Sequence, residues 1–236
     1  MFQPDELKVE PLSKMREAIG RRLSASKREA PHFYAAIEVD MDAALALLAS
    51  PSGVDESAPT LTGVVVKAAA SALVDNPVLN SIWTERGPAR VGRVNISVAV
   101  ALDEGLITPT IADVDRLSVA ETSQAIRDVA DRARAKRLRA QELGGGTFTV
   151  TNLGMYQLSE FYAIINPPQV AILAAGRTQN RLKLVREDVV STQAMVLTLS
   201  ADHRVVDGVD AARFLESIKT YLEAPATLMV RTQEVK

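Results

Sequence analysis

The sequence predicts an α/β or α+β domain built on a mixed sheet. Apolar residues recur at helical spacing in several separate stretches, and short β-branched or continuously apolar runs lie between them. The order of these segments mixes hairpin-like neighbours with helical crossovers, which calls for both parallel and antiparallel strand pairs. With 236 residues, 47% of them apolar and 24% charged, the chain can bury one large core or two small ones.

Residues 1–11, with Pro4, Pro11 and several acids, read as the remnant of a linker, and the folded domain is expected over 12–236. Leu12, Met15, Ile19 and Leu23 recur at spacings of three and four. They predict a basic amphipathic helix with Ser13 as N-cap, ending before Pro31. Phe33 to Val39 reads as a strand, and about 42–49 as a second helix. Residues 51–59 form a polar loop. Residues 61–75 are nearly all apolar and predict a buried helix stopped by Asn76-Pro77. Strands are expected near 80–84, 94–102 and 107–111. Ser118-x-x-Glu121 is a capping box opening a helix of about 20 residues that closes at Gly144-Gly145-Gly146. Its basic end, from Arg132 to Arg139, complements the helix dipole. Strands follow at 148–152, 170–175, about 181–186 and 189–200. A last helix runs from about Val209 to Leu222, with Ala211, Phe214, Leu215, Ile218 and Leu222 as its buried face.

Composition narrows the function. Lys plus Arg is 27 and Asp plus Glu is 29, for a net charge of −2, which gives no support to a nucleic-acid or membrane role. There is no cysteine. Disulfides and a cysteine nucleophile are excluded, and a cytoplasmic location fits. With two histidines and no cysteine no metal site is expected. No apolar run reaches the roughly 20 residues that span a bilayer, and the N-terminus lacks the apolar core of a signal peptide. The three glycines at 144–146 lack a following Lys-Ser/Thr and lead into a strand, so they read as a turn rather than a phosphate loop.

The chemistry concentrates in Asp202-His203-Arg204-Val205-Val206-Asp207-Gly208. Histidine is the side chain whose ordinary pKa allows proton transfer near neutrality, and one held by polar neighbours is a ready general base. His203-x-x-x-Asp207-Gly208 resembles the motif of the coenzyme A-dependent acyltransferases: chloramphenicol acetyltransferases, dihydrolipoamide acyltransferases and, more distantly, peptide-synthetase condensation domains. Four further segments resemble the dihydrolipoamide acyltransferase core of 2-oxo acid dehydrogenase complexes, in the family's order. They are Leu12–Arg16 through Pro31-His32-Phe33, Gly105-Leu106-Ile107-Thr108-Pro109, Gly146–Gly154 and Ile164–Gln169.

The resemblance implies a chloramphenicol acetyltransferase-like, trimer-forming fold: a mixed sheet covered by helices, with one strand extending a neighbour's sheet and the sites in channels between subunits. Coenzyme A and a lipoyl group are the implied substrates. The implied partners are further copies of the chain, a lipoyl domain, and the 2-oxo acid decarboxylase and dihydrolipoamide dehydrogenase components. His203 becomes the base for a thiol, Thr151 the oxyanion donor, Asn152 an orienting or pocket residue near coenzyme A, and Asp207 the holder of the loop or imidazole. Arg16 is the implied partner of Asp207. His32 reads as a packing or channel residue, and the basic run at 132–139 as a solvated helix end.

Two departures qualify the match. Relatives usually carry a lipoyl domain and a subunit-binding domain before this core, so an excised core or a free-standing acyltransferase is expected. Tyr156-Gln157 stands where acetyl-type relatives often have Phe-Gly. Acetyl transfer fits the segments best, followed by branched-chain and succinyl transfer. A small-molecule acetyltransferase and a catalytically silent scaffold are the rival readings. The apolar Leu228-Met229-Val230 is a candidate contact between trimers, and the polar tail after it a candidate block to larger assembly.

Overall fold

A computed structural model describes residues 8, 10–49, 58–102 and 104–229. Most of the expected linker and most of the polar loop at 51–59 lie outside the described residues. The N-terminal helix α1 (Lys14–Glu29) is capped by Ser13, whose side chain accepts from the Arg16 N–H. Strand β1 (His32–Asp40) and helices α2 (Asp42–Ala49) and α3 (Leu61–Asp75) follow. α3 is buried on nearly every side, as its apolar run demands.

Seven strands form the main sheet in the order β1-β11-β9-β8-β4-β7, with β10 pairing the first half of β11. These are β4 (Ile96–Val98), β7 (Thr110–Ile111), β8 (Phe148–Asn152), β9 (Ala171–Ala175), β10 (Gln179–Val185) and β11 (Asp188–Asp202). β4, β8 and β9 run parallel to one another, whereas β1–β11, β9–β11 and β4–β7 are antiparallel. The expected mixed sheet is therefore present. Side hairpins are made by β2 (Ser81–Thr84) with β3 (Gly87–Arg90), and by β5 (Val100–Leu102) with β6 (Gly105–Ile107).

Alternation along the strands sorts the two faces. Val150 on β8, Leu173 on β9, and Leu197, Leu199 and Ala201 on β11 join the apolar core under α3 and α5 (Gly208–Glu223). Phe148 and Phe214 meet edge to face there, with centroids 5.4 Å apart. The buried face of α5 is the expected set of five residues. The opposite face of the sheet carries Thr149, Thr151, Thr198, Ser200 and Asp202, all buried. The irregular segment 153–170 covers part of it: the Thr198 hydroxyl donates to the Phe161 carbonyl, and the Ser26 hydroxyl of α1 to that of Ile165 (2.7 Å).

Three expectations change. The helix after the capping box, α4 (Val119–Arg134), stops ten residues before the glycines. Lys136 takes a left-handed conformation (φ 55), and the N–H groups of Lys136 and Arg137 return to the carbonyls of Ala133 and Arg132. That is a Schellman ending with lysine where glycine is usual, so no residue type announced it. Arg132, gripped by Asp128 and Glu142, then folds residues 139–142 back onto the helix. The strand expected over 94–102 divides at Ala99 between the main sheet and the β5–β6 hairpin. Finally, Leu228 of α6 (Ala226–Met229) packs into the core of its own protomer, so it is no free contact for a neighbour. Residues 230–236 lie outside the described residues.

Helices α3 and α4 touch so closely at Gly63 that a Cβ there would lie 1.9 Å from Ser123 Oγ and 3.1 Å from Ser123 Cα. G63A gains helix propensity, yet overpacking costs about 1–3 kcal/mol. We expect its melting temperature to fall by several degrees, measured by calorimetry.

Candidate active site

A cavity of about 480 Å³ opens on the polar side of the sheet. One wall is α1, where Met15, Ile19 and Leu23 supply the apolar face that the periodicity predicted. Facing it are Thr149 and Thr151 of β8, on the side opposite the core residue Val150. The two threonines differ in one respect. The Thr149 hydroxyl donates to Gln169 Oε1, whose amide reaches the Ser97 hydroxyl, itself bonded to Thr110. Gly146 lets this chain close, since a Cβ would lie 2.1 Å from Ser97 Oγ. Among the described residues the Thr151 hydroxyl has no partner, and only 9% of the residue is exposed. It is a preorganised donor facing an apolar space.

Asn152 alternates to the other side. Its Nδ2 donates to the Thr62 hydroxyl (3.0 Å) and its Oδ1 accepts from the Gly154 N–H (2.7 Å). It holds the turn after β8 and is not on the cavity wall.

His203 stands just past the end of β11, in a turn. Its N–H donates to the Pro31 carbonyl (3.0 Å), and its ring rests on Phe33 with centroids 4.5 Å apart. The residue is exposed, and among the described residues neither ring nitrogen has a hydrogen-bond partner in the protomer. His32 is the opposite case. Its Nδ1 lies 2.8 Å from the Ala30 carbonyl, and its Nε2 accepts from the Ile165 N–H (3.1 Å). With both nitrogens committed, it pins segment 153–170 to the start of β1 and has none left for a substrate.

Asp207 is the N-cap of α5. Its carboxylate accepts from the N–H groups of Val209 and Asp210, both at 2.8 Å, and the Asp210 side chain completes a capping box. The Asp210 N–H, more than any other cause, holds the Asp207 carboxyl below the ordinary carboxylate range; the Val209 N–H and the nearby His203 add to this. The expected pairing with Arg16 is absent among the described residues. The helix N-terminus satisfies the carboxylate, and Arg16 is exposed on the first turn of α1.

The strand register separates the two principal candidates. Thr151 pairs with Ala174, and Ala174 with Thr198. His203 lies five residues beyond Thr198. Two strand spacings and that rise put the Cα atoms of Thr151 and His203 roughly 18 Å apart. An oxyanion donor works at about 3 Å, so these two residues cannot serve one reacting carbonyl within a single protomer. Among the described residues no cluster of His, Asp and Glu could hold a metal ion, and no helix is long and apolar enough to cross a membrane.

Residues 4–230 match the family described as 2-oxoacid dehydrogenases acyltransferase (catalytic domain). The chain belongs to this family. It is 37% identical, over 98% of its length, to the dihydrolipoyllysine-residue acetyltransferase component of the pyruvate dehydrogenase complex of Rickettsia bellii, and covers 56% of that protein. For the mitochondrial counterpart of Dictyostelium discoideum, identity is 39% over 93% of the chain and 35% of the relative. The chain thus spans about half or less of the length of these curated relatives. Among solved structures, dihydrolipoamide acetyltransferase of Azotobacter vinelandii superposes with a TM-score of 0.90 at 27% identity, covering 95% of this chain and 94% of that one. In that enzyme a serine, a histidine and an asparagine were investigated for roles in the catalytic mechanism. A chloramphenicol acetyltransferase superposes at 0.58 with 11% identity, over 86% of this chain and 94% of that one, so the fold is chloramphenicol acetyltransferase-like.

The sequence alone did not reveal that Thr149 backs the cavity or that Arg22, which donates to the Pro167 carbonyl, ties α1 to the covering segment. A capping reading of Asp207 was available from Asp207-x-x-Asp210, a carboxylate three residues before another at a helix start.

Asp207 offers a clean test. D207N keeps an N-cap side chain, whereas D207A loses it. We expect D207N to keep most activity and D207A to lose both activity and melting temperature. The cap's contribution is complete above the ordinary carboxylate pKa of 3.8 and is lost as pH falls through the lowered folded value. Between about pH 5 and pH 3, D207N should therefore lose less thermal stability than the parent.

Proposed function

We propose that this chain transfers an acyl group, acetyl by preference, between dihydrolipoamide and coenzyme A, as the core component of a 2-oxo acid dehydrogenase complex. The observation that carries the reading is the Thr151 hydroxyl on the wall of an apolar cavity, without a partner among the described residues. The spacings of Thr151, His203 and Asp207 along the chain are those of the serine, histidine and asparagine investigated in the Azotobacter enzyme. The acetyl preference is supported by the names of the pyruvate dehydrogenase relatives.

Each step uses groups of this chain. A ring nitrogen of His203 accepts the thiol proton, because only the thiolate is an effective nucleophile. The sulfur attacks the thioester carbonyl of the other substrate, and the carbonyl oxygen becomes an oxyanion. The Thr151 hydroxyl donates to it. As the tetrahedral centre collapses, the second thiolate leaves and takes the proton back from His203, so no proton is gained or lost overall. Asp207 fixes the start of α5, and with it the turn that carries the base.

The separation of Thr151 from His203 supports a site shared by two copies, the histidine of one facing the threonine of another. The β10–β11 hairpin supports the same reading. Beyond Gln193 it leaves the sheet, and Leu182, Leu184 and Val189 on it are 76%, 72% and 66% exposed. An exposed strand edge with apolar side chains calls for a covering partner. Trimers, or larger cores built from them, supply one. A lipoyl domain, a 2-oxo acid decarboxylase and dihydrolipoamide dehydrogenase are the partners this role requires.

Acetyl transfer from acetyl-coenzyme A to dihydrolipoamide tests the reading. H203A should lose about 10²–10⁴-fold in kcat. T151A should lose about 10²–10³-fold, and T151S should retain most of the rate. A parent that assembles yet transfers no acyl group overturns the proposal.

A further inference from the structure

We infer that Asp202, Arg204 and Trp83 form a positioning latch that fixes the turn carrying His203; the inference rests on the acyl-transfer reading of that histidine. Asp202 ends β11 and is 2% exposed, where an unpaired carboxylate would be costly. Arg204, two residues on, folds back over it. The Arg204 backbone N–H donates to Oδ1 at 3.0 Å, and the guanidinium closes a fork with Nε at 3.0 Å and Nη2 at 2.6 Å. A fork of this kind fixes direction as well as distance. It spans His203, so the backbone from which the ring projects is held on both sides. The Val205 and Val206 N–H groups also return to the Asp202 carbonyl, each at 3.0 Å.

The outer part of the latch is Trp83. The Arg204 Cζ lies 3.8 Å from its ring centroid, a close cation–π contact. Trp83 is anchored in turn, its backbone N–H donating to the Pro168 carbonyl at 2.6 Å, while Ile82 forms a β-bridge with Gln169. Gln169 is the residue that engages Thr149, beside the oxyanion donor. One short segment therefore backs the cavity wall with Gln169 and braces the turn of the base through Trp83.

The latch matters because little else orients the ring. Among the described residues the nitrogens of His203 have no hydrogen-bond partner, and Phe33 supplies only a stacking face. A displacement of about 1 Å at a reacting group can cost on the order of 10²-fold in rate. The Arg204 side chain is 31% exposed where it stacks on Trp83, so losing the stack costs little global stability. Losing the guanidinium, by contrast, would leave the buried Asp202 carboxylate unpaired. Asp202, Arg204 and Trp83 are thus positioning residues.

The test uses the assembled protein. W83L should lower kcat about 10- to 100-fold, with KM for both substrates and the melting temperature close to parental. R204M leaves the buried Asp202 carboxylate unpaired and should lower the melting temperature as well as kcat. W83F, which keeps a weaker aromatic face, should lose less than W83L. Trp83 is the single tryptophan of the chain, so its emission should change in R204M if the stack exists in solution. The rate at which diethylpyrocarbonate modifies His203, with H203A as blank, should rise in W83L, which alters no charge. Parental kcat and parental modification rate in W83L overturn the latch, as does a loss of kcat in W83L that appears only with an equal loss of stability or assembly. An inactive parent whose His203 still reacts faster in W83L overturns the acyl-transfer reading and leaves the latch standing.

Discussion

The structure depends on the length of β11. It has 15 residues, against nine in β1, five in β9 and seven in β10, and its neighbours pair with different parts of it. β1 takes residues 194–202, β9 takes 197–201, and β10 takes 188–194. One end of β11 therefore leaves the sheet as a hairpin, and the other delivers Asp202 and the turn of His203 beside the start of β1. Because the side-chain period is two, one register decides everything on both faces. Leu197, Leu199 and Ala201 reach the core, while Thr198, Ser200 and Asp202 turn to the functional side. A slip of one residue would exchange the two sets.

A buried sheet face lined with hydroxyls must have partners for them. Here the partners come from a stretch with no regular structure. Segment 153–170 gives the Phe161 carbonyl to Thr198, the Ile165 carbonyl to Ser26 and the Gln169 side chain to Thr149, and His32 accepts its Ile165 N–H. Among the described residues the hydroxyls of Thr151 and Ser200 are left without partners. Ser200 Oγ, on the same face, is fully buried. Thr151 differs in lining the cavity, where its hydroxyl can meet a substrate, and the proposed donor role rests on that position.

How far the sequence reveals this follows from the range of the interactions. Ser13, Ser118 and Asn76 end or begin helices through contacts within one turn, so their residue types announce them. The buried stripe of α5 is legible for the same reason, since helical periodicity is local. The stop of α4 at Lys136 is not, because a left-handed lysine is chosen by Arg132 reaching Asp128 and Glu142 rather than by its own conformational preference. The burial of Lys67 is hidden likewise. It sits inside an apolar helix with its ammonium 2.7 Å from the Asp115 carbonyl, and burial holds its pKa below the ordinary lysine value. For the site, the histidine motif is visible in the chain. Three things require the fold: the sharing of roles between Thr149 and Thr151, the capping use of Asp207 in place of a pair with Arg16, and the stack of Arg204 on Trp83. Each joins elements far apart in sequence.

The central claim is that catalysis needs the His203 of one copy and the Thr151 of another. Co-assembling H203A with T151A subunits tests it most directly, with acetyl transfer measured across mixing ratios and each parent mutant as blank. A shared site predicts that the mixture regains activity, because some interfaces then bring an intact histidine to an intact threonine. Activity that stays at the level of the separate mutants at every ratio, in assemblies shown to contain both chains, would place the whole site within one protomer and contradict the account.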